Sequence, residues 1–397
     1  MVSKKFEEYS KGANGKLSIN GKNKESIVFS VVTPTRGRVH LVGNFLTSLR
    51  KAILSCDILA EVIVVDDSPL EQRKKIKSFC QRFGARYLDG PSSVRGKRNI
   101  GVREARGKII FFVDSDCEVS ANIFREHLKM YDKPDTGGVL GVTEFVGKET
   151  ATWEIVRRTK FLDAFLFAKT LPKYIDSAPW GTCTNLSIKK EILEKVGGFD
   201  TEFPFRGGGD DTDLGIRINK AGYKVKMNPN AIVFHTRETW NDFVSVAKRA
   251  FRWGRMDYYV FYKKHKDKIS LIFGKPVTVF LLLLSISLIR TAISNWFALF
   301  LPLAWLLAFL SLTSLFKIIS FKEPLKNICF EIPAQFLHFL FDFGTMLESI
   351  KNKSASAFFK APLDDPRQAV ILWSEKAREA WSIVLSVLIV LLIFLAI

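Results

Sequence analysis

The 397-residue sequence predicts an α/β domain built on a parallel sheet, followed by C-terminal transmembrane helices. Three observations carry this expectation. Between residues 27 and 240, short β-branched runs alternate with segments of helical spacing, the pattern of strands joined by helical crossovers. Three of those runs end in polar chemistry, at Thr33-Pro34-Thr35-Arg36, Asp66-Asp67 and Asp114-Ser115-Asp116. In parallel sheets ligands collect at the carboxyl ends of the strands. From residue 269 the composition turns apolar, and residues 291–316 contain no charge over a length that, as a helix, crosses a hydrocarbon core of about 30 Å.

In chain order, residues 1–26 are polar, rich in Lys, Gly and Asn, lack a signal-peptide core and read as a disordered basic tail. Ser26–Thr33 is an extended run that stops at Pro34, and Val39–Leu54 has helical spacing. Glu61–Val65 is a second strand, Glu71–Phe83 a helix, Ala85–Leu88 extended and Asn99–Ala105 a further helix. Arg95, Lys97 and Arg98 stand just before that helix, where basic side chains and helix N-terminal amides suit a diphosphate. Lys108–Val113 is a strand buried on both faces, and Asp114 and Asp116 follow it. On an extended stretch residues i and i+2 point the same way, so the two carboxylates face one point and repel each other unless a cation lies between them. Hard oxygen ligands suit Mg²⁺ or Mn²⁺. Farther on, the glycine run 207–209 lets backbone approach a ligand. Asp210, Asp211 and Asp213 then open a helix; capping and an i+4 pair from Asp213 to Arg217 account for one or two of these acids.

The catalytic domain is expected over 27–240 and an amphipathic interface region over 241–268, where Trp240, Phe243, Val244, Ala247 and Phe251 form a stripe flanked by Lys248, Arg252 and Arg255. A transmembrane hairpin follows at 269–316, with Ile269–Ile289 as its first arm and a turn near 290–295. The segment 317–380 reads as cytoplasmic or interfacial, with an amphipathic helix at 328–350 interrupted by Glu331, His338, Asp342 and Glu348; residues 381–397 form the last span. Lysines and arginines in 317–326 and 351–380 place those segments, and with them the soluble domain, on the cytoplasmic face of a multi-pass cell-membrane protein. The net charge of +19 favours anionic partners, but much of it flanks the membrane segments and no nucleic-acid motif is present. Five dispersed cysteines read as reduced thiols, with Cys117 a packing residue.

Six elements in order, VVTPTRGR at 31–38, VIVVDDS at 62–68, GKRNIG at 96–101, FFVDSD at 111–116, TNLSIKKEILEKVGGFD at 184–200 and GGDDTDLGIRI at 208–218, resemble the family-2 glycosyltransferases. The resemblance covers roughly residues 27–255 and implies a GT-A, Rossmann-like nucleotide-sugar-binding domain and an inverting, metal-dependent hexosyltransferase. It implies that Asp66, Asp67 and the stretch Pro34, Thr35, Arg36 meet the nucleoside and that Arg98 contacts the nucleotide. Asp114, Ser115 and Asp116 match the DXD metal and nucleotide motif, and His235 stands where several relatives place a third metal ligand. Asp211 matches the general base, and Asp210 replaces the family's Glu beside it. The implied ligands are Mg²⁺ or Mn²⁺, a UDP- or GDP-sugar donor, and a lipid-linked or glycan acceptor, as in polysaccharide biosynthesis. A base suits a hydroxyl acceptor better than an already anionic polyprenyl phosphate. Alternatives are a polyprenyl-phosphate sugar synthase, a processive polysaccharide synthase, whose Gln-x-x-Arg-Trp motif here reads Arg249-Ala-Phe-Arg252-Trp253, and a membrane-anchored nucleotide-binding protein.

Overall fold

The computed structural model describes residues 27–56, 58–271, 275–293, 299–362 and 380–388; the expected tail 1–26 and most of the last expected span, 381–397, lie outside them. Eight strands form one sheet in the order β3-β2-β1-β4-β7-β6-β8-β5. They are β1 (Phe29–Thr35), β2 (Ala60–Asp66), β3 (Arg86–Asp89), β4 (Ile109–Phe112), β5 (Cys117–Val119), β6 (Thr136–Val146), β7 (Leu186–Lys189) and β8 (Lys224–Thr236). β1 lies parallel to β2 and β4, and β2 parallel to β3, as expected. The sheet as a whole is mixed, because β7 runs antiparallel to both β4 and β6, and β5 antiparallel to β8.

The central strands are apolar without alternation because both of their faces are covered. Val32, Ile63, Val65, Ile110 and Phe112 pack on one face with Val102 of α3 (Val94–Glu104) and with Leu214 and Ile218 of α8 (Asp210–Lys220). Val31, Val62, Val64, Ile109 and Phe111 pack on the other with α1 (Val39–Leu54), α2 (Leu70–Phe83) and α4 (Ile123–Leu128). β1 continues through Pro34 to Thr35, since proline at that point lies at the end of the ladder. Short helices α5 (Ala151–Val156), α6 (Phe167–Thr170) and α7 (Lys190–Lys195) complete this part of the chain.

α9 (Phe243–Asp257) has the amphipathic character expected of it, but its buried side packs on protein. Its partner is α12 (Ile328–Lys351), one continuous helix with Pro333 inside it. Val246 and Ala250 of α9 bury with Trp240, Trp153 and Leu337 of α12. Two glycines make the crossing close: a Cβ on Gly254 would lie 1.7 Å from the Phe341 carbonyl oxygen, and one on Gly344 would lie 2.3 Å from that of Phe251. The Thr345 hydroxyl donates to the Gly254 carbonyl at 2.9 Å. Arg255 pairs with Glu348 at 2.5 Å, and Arg158 pairs with Glu323 at 2.6 Å, so ion pairs flank the same junction.

The expected hairpin is redrawn. Ile269–Leu271 is strand β9, paired antiparallel with β10 (Lys360–Pro362), which follows the one-turn helix α13 (Ser356–Phe359). The first arm starts only at Pro276, in α10 (Pro276–Ile293), which ends within the stretch expected to turn. The second arm is α11 (Leu301–Ser320), whose Lys317 pairs with Glu331 of α12 at 2.8 Å. Among the described residues, α11 alone is long and apolar enough to cross a membrane. Residues 380–388 are helical.

The Gly254 crossing leaves no room for a side chain. Gly254→Val is expected to destabilise the chain by about 1–3 kcal/mol through overpacking, read as a lowered thermal midpoint in detergent, whereas an unchanged midpoint would contradict the close packing.

Candidate active site

The site is built on three chain turns, two that follow strand ends and one that opens a helix. The first leaves β4. Asp114 and Asp116 do not sit on an extended stretch, as expected, but in a tight turn closed by the Cys117 amide donating to the Asp114 carbonyl at 3.2 Å. The Ser115 hydroxyl anchors this turn to β1 by donating to Thr35 Oγ1 at 3.0 Å. β5 then pairs with β8 so that Cys117 lies opposite His235, which carries the imidazole to the acidic turn.

His235 Nδ1 lies 2.7 Å from the Thr236 carbonyl oxygen, and His235 Nε2 lies 3.5 Å from an Asp116 carboxylate oxygen. A carbonyl only accepts, so Nδ1 carries a proton and Nε2 is the ring nitrogen turned towards the carboxylate. A divalent cation would sit between Nε2 and that carboxylate. Asp116, Cys117 and His235 bring one ligand atom each within 4.8 Å of one another. Cys117 is a poor hard-ion ligand, since burial and the two aspartates push its thiol well above its ordinary range. Asp114 lies close enough to interact electrostatically with both Asp116 and His235. Asp116 and His235 therefore offer two donors suited to a hard divalent ion, with Asp114 beside them in the same turn.

Asp114 is raised by burial; Arg98 opposes that rise and Asp116 adds to it. The Thr184 hydroxyl donates to one of its oxygens at 2.9 Å, and Arg98 Nη2 lies 3.2 Å from the other. Asp116 accepts from Arg38 at 2.7 Å. Neither Arg38 nor Thr184 stands out in the sequence. Arg38 reaches Asp116 from a left-handed backbone (φ 52°) ahead of α1, and no sequence signal marks that conformation.

The second turn leaves β2 and divides the two aspartates expected at the nucleoside. Asp67 holds the Arg36 guanidinium at 3.0 Å and Lys97 Nζ at 2.5 Å, and Arg36 is exposed at the mouth of the site. Asp66 is fully buried and spent internally, accepting from the Ser68 amide at 2.9 Å, the Ser68 hydroxyl and the Tyr87 hydroxyl at 3.0 Å. It shapes the turn and does not face a ligand, a correction to its expected contact. Pro34 and Thr35 are also buried; the Thr35 carbonyl accepts from Lys97 at 2.8 Å.

The basic residues expected ahead of a helix lie within α3, which begins at Val94 behind a Ser93 cap. All three are buried. Arg95 is not free for a diphosphate: it donates to the carbonyls of Phe205 and, at 2.8 Å, Gly208, and so holds the glycine loop in place. Arg98 spans the site. Its Nη1 lies 2.5 Å from Asp210 and its Nη2 3.2 Å from Asp114, with Phe199 beneath it at 5.5 Å.

The third turn is that glycine loop. Gly208 and Gly209 have φ of 102° and 70°, open to glycine and strained for other residues. The loop delivers Asp210 and Asp211 at the start of α8. Asp210 is 3% exposed and saturated by Arg98 and, at 3.0 Å, by the Gly208 amide. Of the two acids expected to be catalytic, Asp210 therefore supports. Asp211 is half-buried, and its one hydrogen bond is from the Thr212 amide at 3.0 Å. Burial, then the neighbouring Asp210, lift its carboxyl to about 7. Asp213 pairs with Arg217 at 2.7 Å as expected, and also with Lys264 at 2.8 Å and His265 at 2.9 Å, which pins α8 to the segment after α9.

An acidic turn with an imidazole beside it and a carboxyl poised near neutrality across one arginine can hold a cation-bound diphosphate and take a proton from an incoming group.

Residues 30–197 match the model of glycosyl transferase family 2. The chain is 24% identical over 259 residues to the probable glycosyltransferase YdaM of Bacillus subtilis, covering 60% of this chain and 57% of that protein. It is 25% identical over 260 residues to the uncharacterized glycosyltransferase YfnE of the same organism, covering 53% of this chain and 65% of that protein. The chain thus spans roughly three-fifths of the length of these curated relatives. Among solved structures, the mannosyltransferase PcManGT from Pyrobaculum calidifontis, in complex with GDP-Man and Mn²⁺, is similar over 98% of this chain and 93% of its own at 14% identity and a TM-score of 0.44. With the motifs of the three turns in their order, the match places a glycosyl transferase family 2 domain at residues 30–197, on a GT-A-like mixed α/β sheet.

Proposed function

We propose that the protein is an inverting glycosyltransferase that moves a hexosyl group from a nucleoside diphosphate sugar to a hydroxyl of a lipid-linked or glycan acceptor at the cytoplasmic face of the cell membrane. The observation that carries this reading is the Asp211 carboxyl, raised to about 7 and left without a cationic partner at hydrogen-bond distance, while its neighbour Asp210 is tied through Arg98 to the acidic turn.

Asp114, Asp116 and His235 would hold Mg²⁺ or Mn²⁺, which when bound offsets charge on the departing diphosphate as a Lewis acid. The remaining steps belong to the chain. Arg36, held by Asp67 at the mouth, meets the nucleoside side of the donor. The acceptor hydroxyl loses its proton to Asp211 as its oxygen attacks the anomeric carbon. The carbon–oxygen bond to the diphosphate breaks, and the nucleoside diphosphate leaves with that electron pair. Attack opposite the leaving group inverts the anomeric centre. General-base help of this kind is worth about 10²–10⁴-fold.

The membrane location rests on α11 and on the large apolar side chains that α10 and α11 expose, among them Leu282, Ile289, Leu303 and Leu307 at 53–62%. The junction of α9 and α12 ties these helices to the catalytic domain, which supports a site close to the lipid surface.

A donor screen of the full chain in detergent, with Mg²⁺ or Mn²⁺ and membrane lipid extract as acceptor, is expected to show nucleoside diphosphate release that EDTA stops; undiminished turnover under chelation would contradict the cation site. In that assay Asp211→Asn is expected to lower transfer by about 10²–10⁴-fold with donor affinity within a few-fold of wild type, whereas full transfer would remove Asp211 as base. Because the base works only when deprotonated, kcat/KM for transfer should fall as pH drops through about 7 and level off above it. A profile flat from pH 6 to 8, about one unit on either side of that value, would contradict the role.

A further inference from the structure

α9 carries two arginines that the reaction above does not use. Arg249 packs over Trp240, its guanidinium 4.1 Å from the ring centroid, with the Trp253 ring 6.0 Å away. One of its nitrogens donates to the Thr239 carbonyl at 2.9 Å. Burial, with the like charges of Arg252 and Arg38, pulls it down to about 10, and the attraction of Asp116 opposes this. Arg252 stands exposed one turn along the same helix. Among the described residues neither has a carboxylate within ion-pair distance, while Arg38 beside them already holds Asp116 at 2.7 Å. Arg249 is thus gathered with the like charges of Arg252 and Arg38, and a planar guanidinium held over an indole suits a phosphoryl group.

The position of the cluster indicates which phosphoryl group. Trp253, next to Arg252, lies against the glycine loop, where a Cβ on Gly208 would come within 3.0 Å of its ring. That loop delivers Asp211, so α9 borders the side from which a hydroxyl acceptor reaches its base. The opposite side of α9 packs on α12, which carries the apolar helices. An anion arriving here is borne by an amphiphile whose sugar hydroxyl faces Asp211.

We propose that Arg249 and Arg252, with Arg38, form an acceptor subsite that binds the phosphate or diphosphate linking an acceptor sugar to its lipid. This rests on the reading that Asp211 activates a hydroxyl. The reacting group is then the sugar hydroxyl, and the phosphoryl group is a handle that positions it.

The test is calorimetric titration of hexyl phosphate into the full chain in detergent, with Mg²⁺ and saturating UDP and GDP filling the donor site. Hexyl phosphate is expected to bind the wild type, to bind the R249Q/R252Q variant about tenfold more weakly, and to recover with R249K/R252K. Arg252→Gln alone, at an exposed position, should lower affinity several-fold in a chain whose packing is untouched. Hexyl glucoside should bind weakly to all of them. Equal affinity in wild type and glutamine variants would overturn the proposal, and so would loss of hexyl phosphate binding once the nucleotides are present, since the cluster would then serve the donor. Retained binding in a protein that transfers no sugar would support the subsite and count against the transferase reading alone.

Discussion

The site depends on a single guanidinium. Arg98 holds Asp210 with one nitrogen and Asp114 with another, and so joins two turns whose side chains would otherwise repel. A buried cation between buried carboxylates is costly to desolvate, and removing one member leaves the rest exposed to the full penalty. That makes the arrangement stiff. The acidic turn after β4 and the glycine loop before α8 cannot drift apart without breaking the charged contacts of Arg98. Phe199 beneath the guanidinium and the internal contacts of Arg95 to the glycine loop reinforce the same geometry.

With Asp210 neutralised in this way, its neighbour is left in a different state. Asp211 has the burial and the adjacent negative charge without an arginine at hydrogen-bond distance, so its proton is held until near neutral pH. Two adjacent aspartates thus take separate tasks because only one of them reaches Arg98. Asp213, two positions further along α8, is absorbed by Arg217, Lys264 and His265 and anchors that helix. The imidazole of His235 arrives from another strand through the pairing of β5 with β8, so the third candidate ligand is a product of sheet topology.

Much of this was legible in the sequence. The apolar strands end in polar residues because the ends of the central strands are where the sheet opens to ligand, and Asp67, Asp114 and Asp116 lie there, while Asp211 opens a helix behind the glycine run. Where the reading failed, a longer-range contact had decided the outcome. Asp66 and Asp67 look alike in sequence, but one points into the sheet, where Tyr87 and Ser68 occupy it. Arg95, Lys97 and Arg98 read as a diphosphate site ahead of a helix because their partners, Phe205, Asp67 and Asp210, are between 30 and 112 residues away. β7 turns the sheet mixed after a long excursion that has no local direction signal. The apolar stripe of α9 was read towards lipid, and the glycines at 254 and 344 that bring α12 against it show their purpose only as a pair.

The central claim is that Arg98 acts through Asp210 to hold the two halves of the site together, and a double-mutant cycle tests it most directly. Transfer rates would be measured for the wild type, Arg98→Lys, Asp210→Asn and the double variant under one saturating donor condition. The account predicts strong non-additivity, with the double variant within about threefold of the worse single variant, because either change breaks the same bridge. Two losses that simply multiply would show that Arg98 and Asp210 act independently and would contradict the account.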